Sequence, residues 1–241
     1  MTRPGTGPVP PGPWLALDTA TSHTVVALGD GRGARASRVW DAGRRHGETL
    51  LGAIEALLRH EAVAVADLQA IVVGTGPGAF TGLRVGLATA KTLAHGLHLP
   101  LVGVPTAAAL ARSLGTGTML VVQPAGPHDR YVSRVVRTGP RQPAVAESRL
   151  VPGGERLTSA GEDMVLVVDL PASASGDIDP AQVRRGRTAL AGLPGGLLAE
   201  GAAALAAGRR DDPAVLVPLY VTLPRGVPDA AGGTAWSPDL P

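Results

Sequence analysis

The stretch "AIVVGTGPGAFTGLRVGLATAKTLA", residues 70–94, decides the fold. Its first residues, 70–73, form a β-branched apolar run that reads as a short buried strand. Gly74, Gly76 and Gly78 with Pro77 then turn the chain. The residues that follow read as a helix, with the Thr81 hydroxyl placed to cap it. Strand, glycine turn and helix in that order argue for an α/β layer rather than an all-α or all-β fold.

The loop itself admits two readings. Backbone N–H groups beside the positive end of a helix dipole suit an anion, and glycines also permit a tight turn with no ligand at all. "GTGPGAFTG" is not a Walker A loop, because no Lys-Ser/Thr pair closes it and Lys91 lies deep in the helix. Pro77 and Phe80 interrupt the dinucleotide fingerprint. Asp18, Thr19, Gly76 and Gly78 are the candidate nucleotide or anion contacts.

In the helix, Gly82, Gly86, Ala90 and Ala94 stand four apart, so one face carries almost no side chain and another element can approach it closely. The preceding segment "HGETLLGAIEALLRH", 46–60, places Leu50, Leu51, Ile54, Leu57 and Leu58 on one amphipathic stripe. Burial in the protein's own core is one use for such a pair. The other is half of a four-helix bundle with another subunit, contacted through Leu50, Leu51, Ile54, Leu57 and Leu58 with Gly82, Val85, Gly86, Thr89, Ala90 and Leu93.

Upstream, "WLALDTATSHTVVALGDG" reads as strands 14–18 and 24–29 joined by a polar turn, a hairpin with Asp18, Thr19, Thr21 and Ser22 at its mouth. Downstream, "LPLVGVPTAAALA" gives a strand at 101–104, a proline break and a short Ala-rich helix. Past residue 115, "TMLVVQPA", "YVSRVVRT", "AVAESRLV" and "MVLVVDL" read as strands of a second lobe, and "GGLLAEGAAALAAG", 195–208, as a helix. The expected organisation is a Pro/Gly-rich disordered arm at 1–13, a first lobe at 14–112, a second at 113–225 and a disordered tail at 226–241.

Composition bounds the chemistry. Of 241 residues, 44% are apolar and only 2% aromatic, so the core is assembled from Leu, Val, Ile and Ala. The 22 basic and 20 acidic residues nearly cancel to +2, a poor electrostatic footprint for nucleic acid. The absence of Cys excludes disulfides, thiolate catalysis and Cys-ligated zinc, and agrees with a reducing cytoplasm. "MTRPGTGPVPPGPW" lacks the apolar run of a signal peptide, and no segment approaches the roughly 18 consecutive apolar residues of a membrane span. His23, His46, His60, His95, His98 and His128 show no HExxH spacing, so no metal site is expected. No G-x-S-x-G elbow occurs, and the pairs Arg44/Arg45, Arg184/Arg185 and Arg209/Arg210 read as solvated faces.

The segments "LALDTATSHTVVAL", "HGETLLGAIEALL", "LQAIVVGTGPGAFTGLRVGLATAKTLAHGLHLPLVGVPT" and "VPLYVTLPR" together resemble the TsaB (YeaZ) family, bacterial partners of the TsaD enzyme in making threonylcarbamoyladenosine on tRNA. The resemblance is strong over 14–112, loose over 115–212, and returns at Pro218 to Tyr220. It implies the two-lobed ASKHA fold of acetate kinase, sugar kinases, Hsp70 and actin, with a mixed sheet flanked by helices in each lobe. It also implies a non-catalytic, cytoplasmic subunit that binds TsaD through first-lobe helices and lets it act with the ATPase TsaE. TsaD would transfer threonylcarbamoyl from its adenylate to adenosine 37 of tRNA.

In TsaD-like relatives the strand after the small-residue helix leads into a His-x-x-x-His metal segment. Thr106 and Leu110 stand at those positions here. The resemblance therefore implies no cofactor for this chain, ATP only at the level of the complex, tRNA met only indirectly, and a homodimer through the same helices when TsaD is absent. The alternative is an ATP-dependent enzyme of the ASKHA type or a glycoprotease-like metallopeptidase. In the second lobe Pro124 replaces an acid of the family's Asp-Ala-Arg turn, with Asp129 and Tyr131 remaining, and Thr222 stands where the family's ending has arginine.

Overall fold

A computed structural model describes residues 8–41, 46–153, 155, 164–170 and 178–221. The first lobe is a five-stranded sheet in the order β3-β2-β1-β4-β5, made of β1 (Trp14–Asp18), β2 (His23–Asp30), β3 (Gly33–Asp41), β4 (Ala70–Gly74) and β5 (Leu101–Val104). β1 pairs antiparallel with β2, as the hairpin reading requires, and parallel with β4, placing Leu17 opposite Val26 on one side and Val73 on the other. β3, which the sequence reading did not single out, forms an edge.

Side chains alternate across this sheet. Leu15, Leu17, Val26, Ile71 and Val73 face the helices α1 (His46–His60) and α2 (Phe80–Leu97). Trp14, Ala16, Ala27, Ala70 and Val72 face the opposite way, into a core that continues through α3 (Thr106–Ala111) and α4 (Pro180–Ala206) to Met119, Val121, Val135 and Leu166 of the second sheet. That four-stranded sheet runs β8-β7-β6-β9, from β6 (Gly117–Pro124), β7 (Arg130–Arg137), β8 (Val145–Val151) and β9 (Met164–Val167). The α/β architecture with a mixed sheet in each lobe agrees with the two-lobed fold that the resemblance implies.

α4 is much longer than the helix expected at 195–208. Asp179 caps it, accepting from Ala181 N at 2.7 Å, and Pro180 suits the first turn. The helix then passes through Pro194 without ending, because both sheets pack on this stretch and their burial outweighs the local penalty. Gly196 lets it touch the chain of α3: a Cβ there would strike the Ala109 carbonyl. By length and composition α4 is apolar enough to cross a membrane, but its apolar residues form the core between the sheets.

Inside this core lies Glu200, 3% exposed, meeting Arg112 Nη1 at 2.8 Å and Arg137 Nη2 at 2.6 Å, with Ala144 N donating to its other oxygen at 2.9 Å. Two guanidinium groups offset the cost of burying this carboxylate.

At both ends the described chain is tied to the first sheet. Residues 8–13 of the supposed arm are docked: Pro13 O accepts from Gln69 N at 2.8 Å and Pro8 O from an Arg210 Nη at 3.2 Å. Residues 209–221 leave the second lobe and return to the first, where Asp211 pairs with Leu101 and accepts from Gly103 N at 2.7 Å. The tail at 226–241, the Arg44/Arg45 pair and Thr222 lie outside the described residues.

Candidate functional site

Asp18 ends β1 with no exposed surface. Its Oδ2 accepts from Thr106 Oγ1 at 2.7 Å, and its Oδ1 from Ala20 N at 2.8 Å. Thr106 Oγ1 in turn accepts from Gly76 N at 3.0 Å, so one hydroxyl ties the strand-end acid to the glycine loop. Burial pushes the Asp18 carboxyl up to about 6, against the opposing pull of the Thr106 and Ala20 hydrogen bonds. A Cβ at Gly74 would enter the carboxylate itself, which is why the strand must end on glycine here.

The rest of the loop is used in the same way. Thr75 N donates to Val104 O and Ala79 N to Ala20 O, each at 2.8 Å, and Thr19 Oγ1 donates to Gly82 O at 2.6 Å. The expected Thr81 cap is absent: α2 begins at Phe80 behind Ala79, with no side-chain capping bond, and Thr81 is exposed. Of the candidate anion contacts, Asp18 is sealed, the Thr19 hydroxyl and Gly76 amide are engaged, and only Gly78 reaches a partly open position.

Gly78 borders a cleft of about 450 Å³ between the lobes, shared by the β1–β2 turn, the start of α2, the end of β6, Tyr131 and Asp169. Among the described residues lining it there is no Lys or Arg, and its ionisable carboxylate, Asp169, would repel phosphate. Asp169 instead ties the lobes together, accepting from Ser22 Oγ at 2.8 Å and Ser22 N at 3.2 Å, with His23 Nδ1 at 3.5 Å. Gln123 Nε2 donates to Pro77 O at 3.4 Å across the same boundary.

In the second lobe, Pro124 and Tyr131 line the cleft, while Asp129 Oδ1 accepts from Gly153 N at 2.9 Å and so braces a turn. The sequence carries a signal for Asp169: in "LVVD" it stands two residues beyond the end of β9, as Asp18 in "LALD" closes β1. Nothing comparable marked Gln123, or the partnership of Glu200 with Arg112 and Arg137.

The structure turns most of the expected helix-pair residues inward. Leu50, Ile54, Leu57, Leu58 and Ala90 belong to the first-lobe core, and Gly82 and Gly86 are buried with them. A Cβ at Gly86 would meet the Thr19 hydroxyl, so the small-residue face is turned to the protein's own β1 end and not outward. Val85, Thr89 and Leu93 are partly covered, and Leu51 is 62% exposed. The outward side of α2 carries Thr81, Arg84, Ala88, Thr92 and His95.

A family model described as TsaD, tRNA N6-adenosine threonylcarbamoyltransferase, matches residues 40–152. An uncharacterized protein of Mycobacterium tuberculosis is 34% identical over 227 residues, which cover 89% of this chain and 93% of the relative. The Escherichia coli tRNA threonylcarbamoyladenosine biosynthesis protein TsaB is 36% identical over 98 residues, covering 41% of this chain and 42% of that protein. In structure, YeaZ from Pseudomonas aeruginosa matches with a TM-score of 0.66 and 24% identity, over 87% of this chain and 99% of YeaZ, which shows a shared fold.

Proposed function

Since the chain belongs to the TsaB (YeaZ) family, we propose that it serves tRNA threonylcarbamoyladenosine biosynthesis as a non-catalytic subunit. In this role it binds and activates a TsaD-type threonylcarbamoyltransferase in the cytoplasm. The observation that carries this reading is the position of Thr106. It stands where the resemblance places a metal histidine, and its hydroxyl is committed to Asp18 and Gly76. A chain that matches the transferase model over 40–152 but uses that position as an internal clasp is suited to support the transferase, not to repeat its reaction.

The supporting role needs a preformed surface. α1 and α2 pack on the first sheet through their buried faces and hold their outward faces at fixed spacing, so a partner gains a platform whose ordering entropy is already lost. The ATPase TsaE would join at the level of the complex, with ATP bound there. tRNA would be met only indirectly, and the isolated chain would pair with itself through the same helices.

The test is reconstitution. Threonylcarbamoyladenosine formation on tRNA is followed with TsaD, TsaE and the adenylate-forming enzyme present, and this chain added or withheld. Product that depends on this chain supports the reading. Equal product without it, or ATP hydrolysis or stoichiometric metal in the isolated chain, overturns it in favour of an enzyme.

A further inference from the structure

Resting on that docking role, we infer that the partner surface extends beyond the helix pair onto the C-terminal segment 215–220, which lies beside α2 and presents an uncovered apolar row to the same transferase. The segment is fixed in place without a partner. Lys91 Nζ donates to Leu216 O at 3.0 Å, Leu219 N to Thr75 O at 2.8 Å, and Arg84 Nε to the Tyr220 hydroxyl at 3.4 Å. The Phe80 and Tyr220 rings lie 5.5 Å apart, with the Arg84 guanidinium 3.8 Å above Phe80.

Side chains of the segment alternate. Leu216 packs on Gly103 and the first-lobe core and Pro218 is buried, while Val215 is 70%, Val217 63% and Leu219 38% exposed. The chain turns at both ends of this stretch, Leu216 N donating to Asp212 O at 2.9 Å and Tyr220 N to Pro218 O at 3.0 Å, and its apolar side chains divide between two sides. Here one side is covered by the first lobe.

A stable pair buries about 800 Å² on each partner, with an apolar centre and a polar rim. Among the described residues of α1 and α2, Leu51 is the exposed large apolar side chain, and its surroundings are small or polar. The helix pair alone is therefore a poor centre. On α2, Val85 looks toward Gly47 of α1, Arg84 and Lys91 look toward the segment, and Ala88 and Thr92 lie between them. The α1 face, the α2 face and the segment thus form one continuous surface. Val217, Leu219 and the Tyr220–Arg84 pair add the aromatic, aliphatic and guanidinium groups that dominate binding energy at such centres. The partner would meet it with an apolar ridge and an acid opposite Arg84.

The experiment titrates the full chain against its transferase partner by calorimetry, comparing wild type with Val217→Asp, the milder Val217→Ser, and Ala88→Arg on the helix face. Thermal melting checks that each variant folds. Expected are wild-type melting for all, at least tenfold weaker binding for Val217→Asp, a smaller loss for Val217→Ser, and lost binding for Ala88→Arg. If Ala88→Arg abolishes binding while both Val217 variants bind as wild type, the segment lies outside the surface and only the extension fails. If the wild-type chain does not bind the transferase, the docking role fails and the extension with it. If the Val217 variants alter only self-association of the isolated chain, the segment covers a second copy and the inference is wrong.

Discussion

The glycine loop around Asp18 and the C-terminal segment touch each other, through Leu219 N and Thr75 O, yet they use their groups in opposite ways. In the loop, hydroxyl, carboxylate and amides point at one another, and α2 closes over them with glycine at Gly82 and Gly86. In the segment, one row of side chains is buried and the other is left apolar and uncovered. A region whose polar groups are mutually satisfied has no unmet demand that a ligand could fill. A fixed apolar row in water does have one. The difference teaches that the part of this chain most like a binding loop is a fastening, while the apolar row left facing water lies on a segment without loop chemistry.

The largest expected effect tests the inward direction of α2. Gly86→Leu drives a branched side chain into Thr19 and is expected to cost about 3 kcal/mol or more of folding stability, measured by denaturant unfolding of the isolated chain. Unchanged stability with lost partner binding would place the small-residue face outward and reverse the comparison. Next comes the charge state of the clasp. Folding raises the Asp18 carboxyl from its ordinary 3.8 to about 6, so the folded state holds the proton more tightly than the unfolded chain. Stability from this group is complete below about pH 4 and falls as pH rises through 6, by about 2 to 3 kcal/mol in all. Asp18→Asn should flatten that slope in melting curves taken from pH 4 to 7. A slope that survives the substitution would assign it to another group.

Much of the first lobe was legible because its signals are local. The period of Leu50, Ile54, Leu57 and Leu58 marks α1, and the apolar run ending on Asp18 marks β1. The direction of a helix face was not legible, because Gly82, Gly86 and Ala90 permit close approach by any neighbour and do not say which. Pro194 and its neighbouring glycines look like a break in isolation and predict a shorter α4, and only two sheets arriving from distant sequence make them a buried crossing. The same distance hides Glu200, whose partners Arg112 and Arg137 lie on other elements, and Thr106, whose role depends on β1 and β5 being close neighbours of β4. The segment 215–220 was recognised by resemblance at Pro218 to Tyr220. Its alternation of covered and uncovered residues needs the position of α2 to be seen.

Smaller effects sharpen the contrast. Thr19→Val keeps the shape of a fully buried side chain and removes the hydroxyl that donates to Gly82 O. It should cost about 1 kcal/mol in denaturant unfolding, and a neutral result would show that Gly82 O finds another donor.

Val217 lies at the other extreme. It is largely exposed, so Val217→Ser should change the unfolding free energy by no more than about 0.5 kcal/mol. That small number matters because it separates two reasons for keeping valine at this position. If valine steadies the segment against the first lobe, the variant will lose stability, and hydrogen exchange at Leu219 N, which donates to Thr75 O, will accelerate. If valine is held for a partner, exchange at Leu219 will stay as in wild type in the isolated chain. The first outcome would make the segment a second fastening like the loop; the second keeps the two regions distinct, with stability residing in the groups turned inward and recognition in those left facing water.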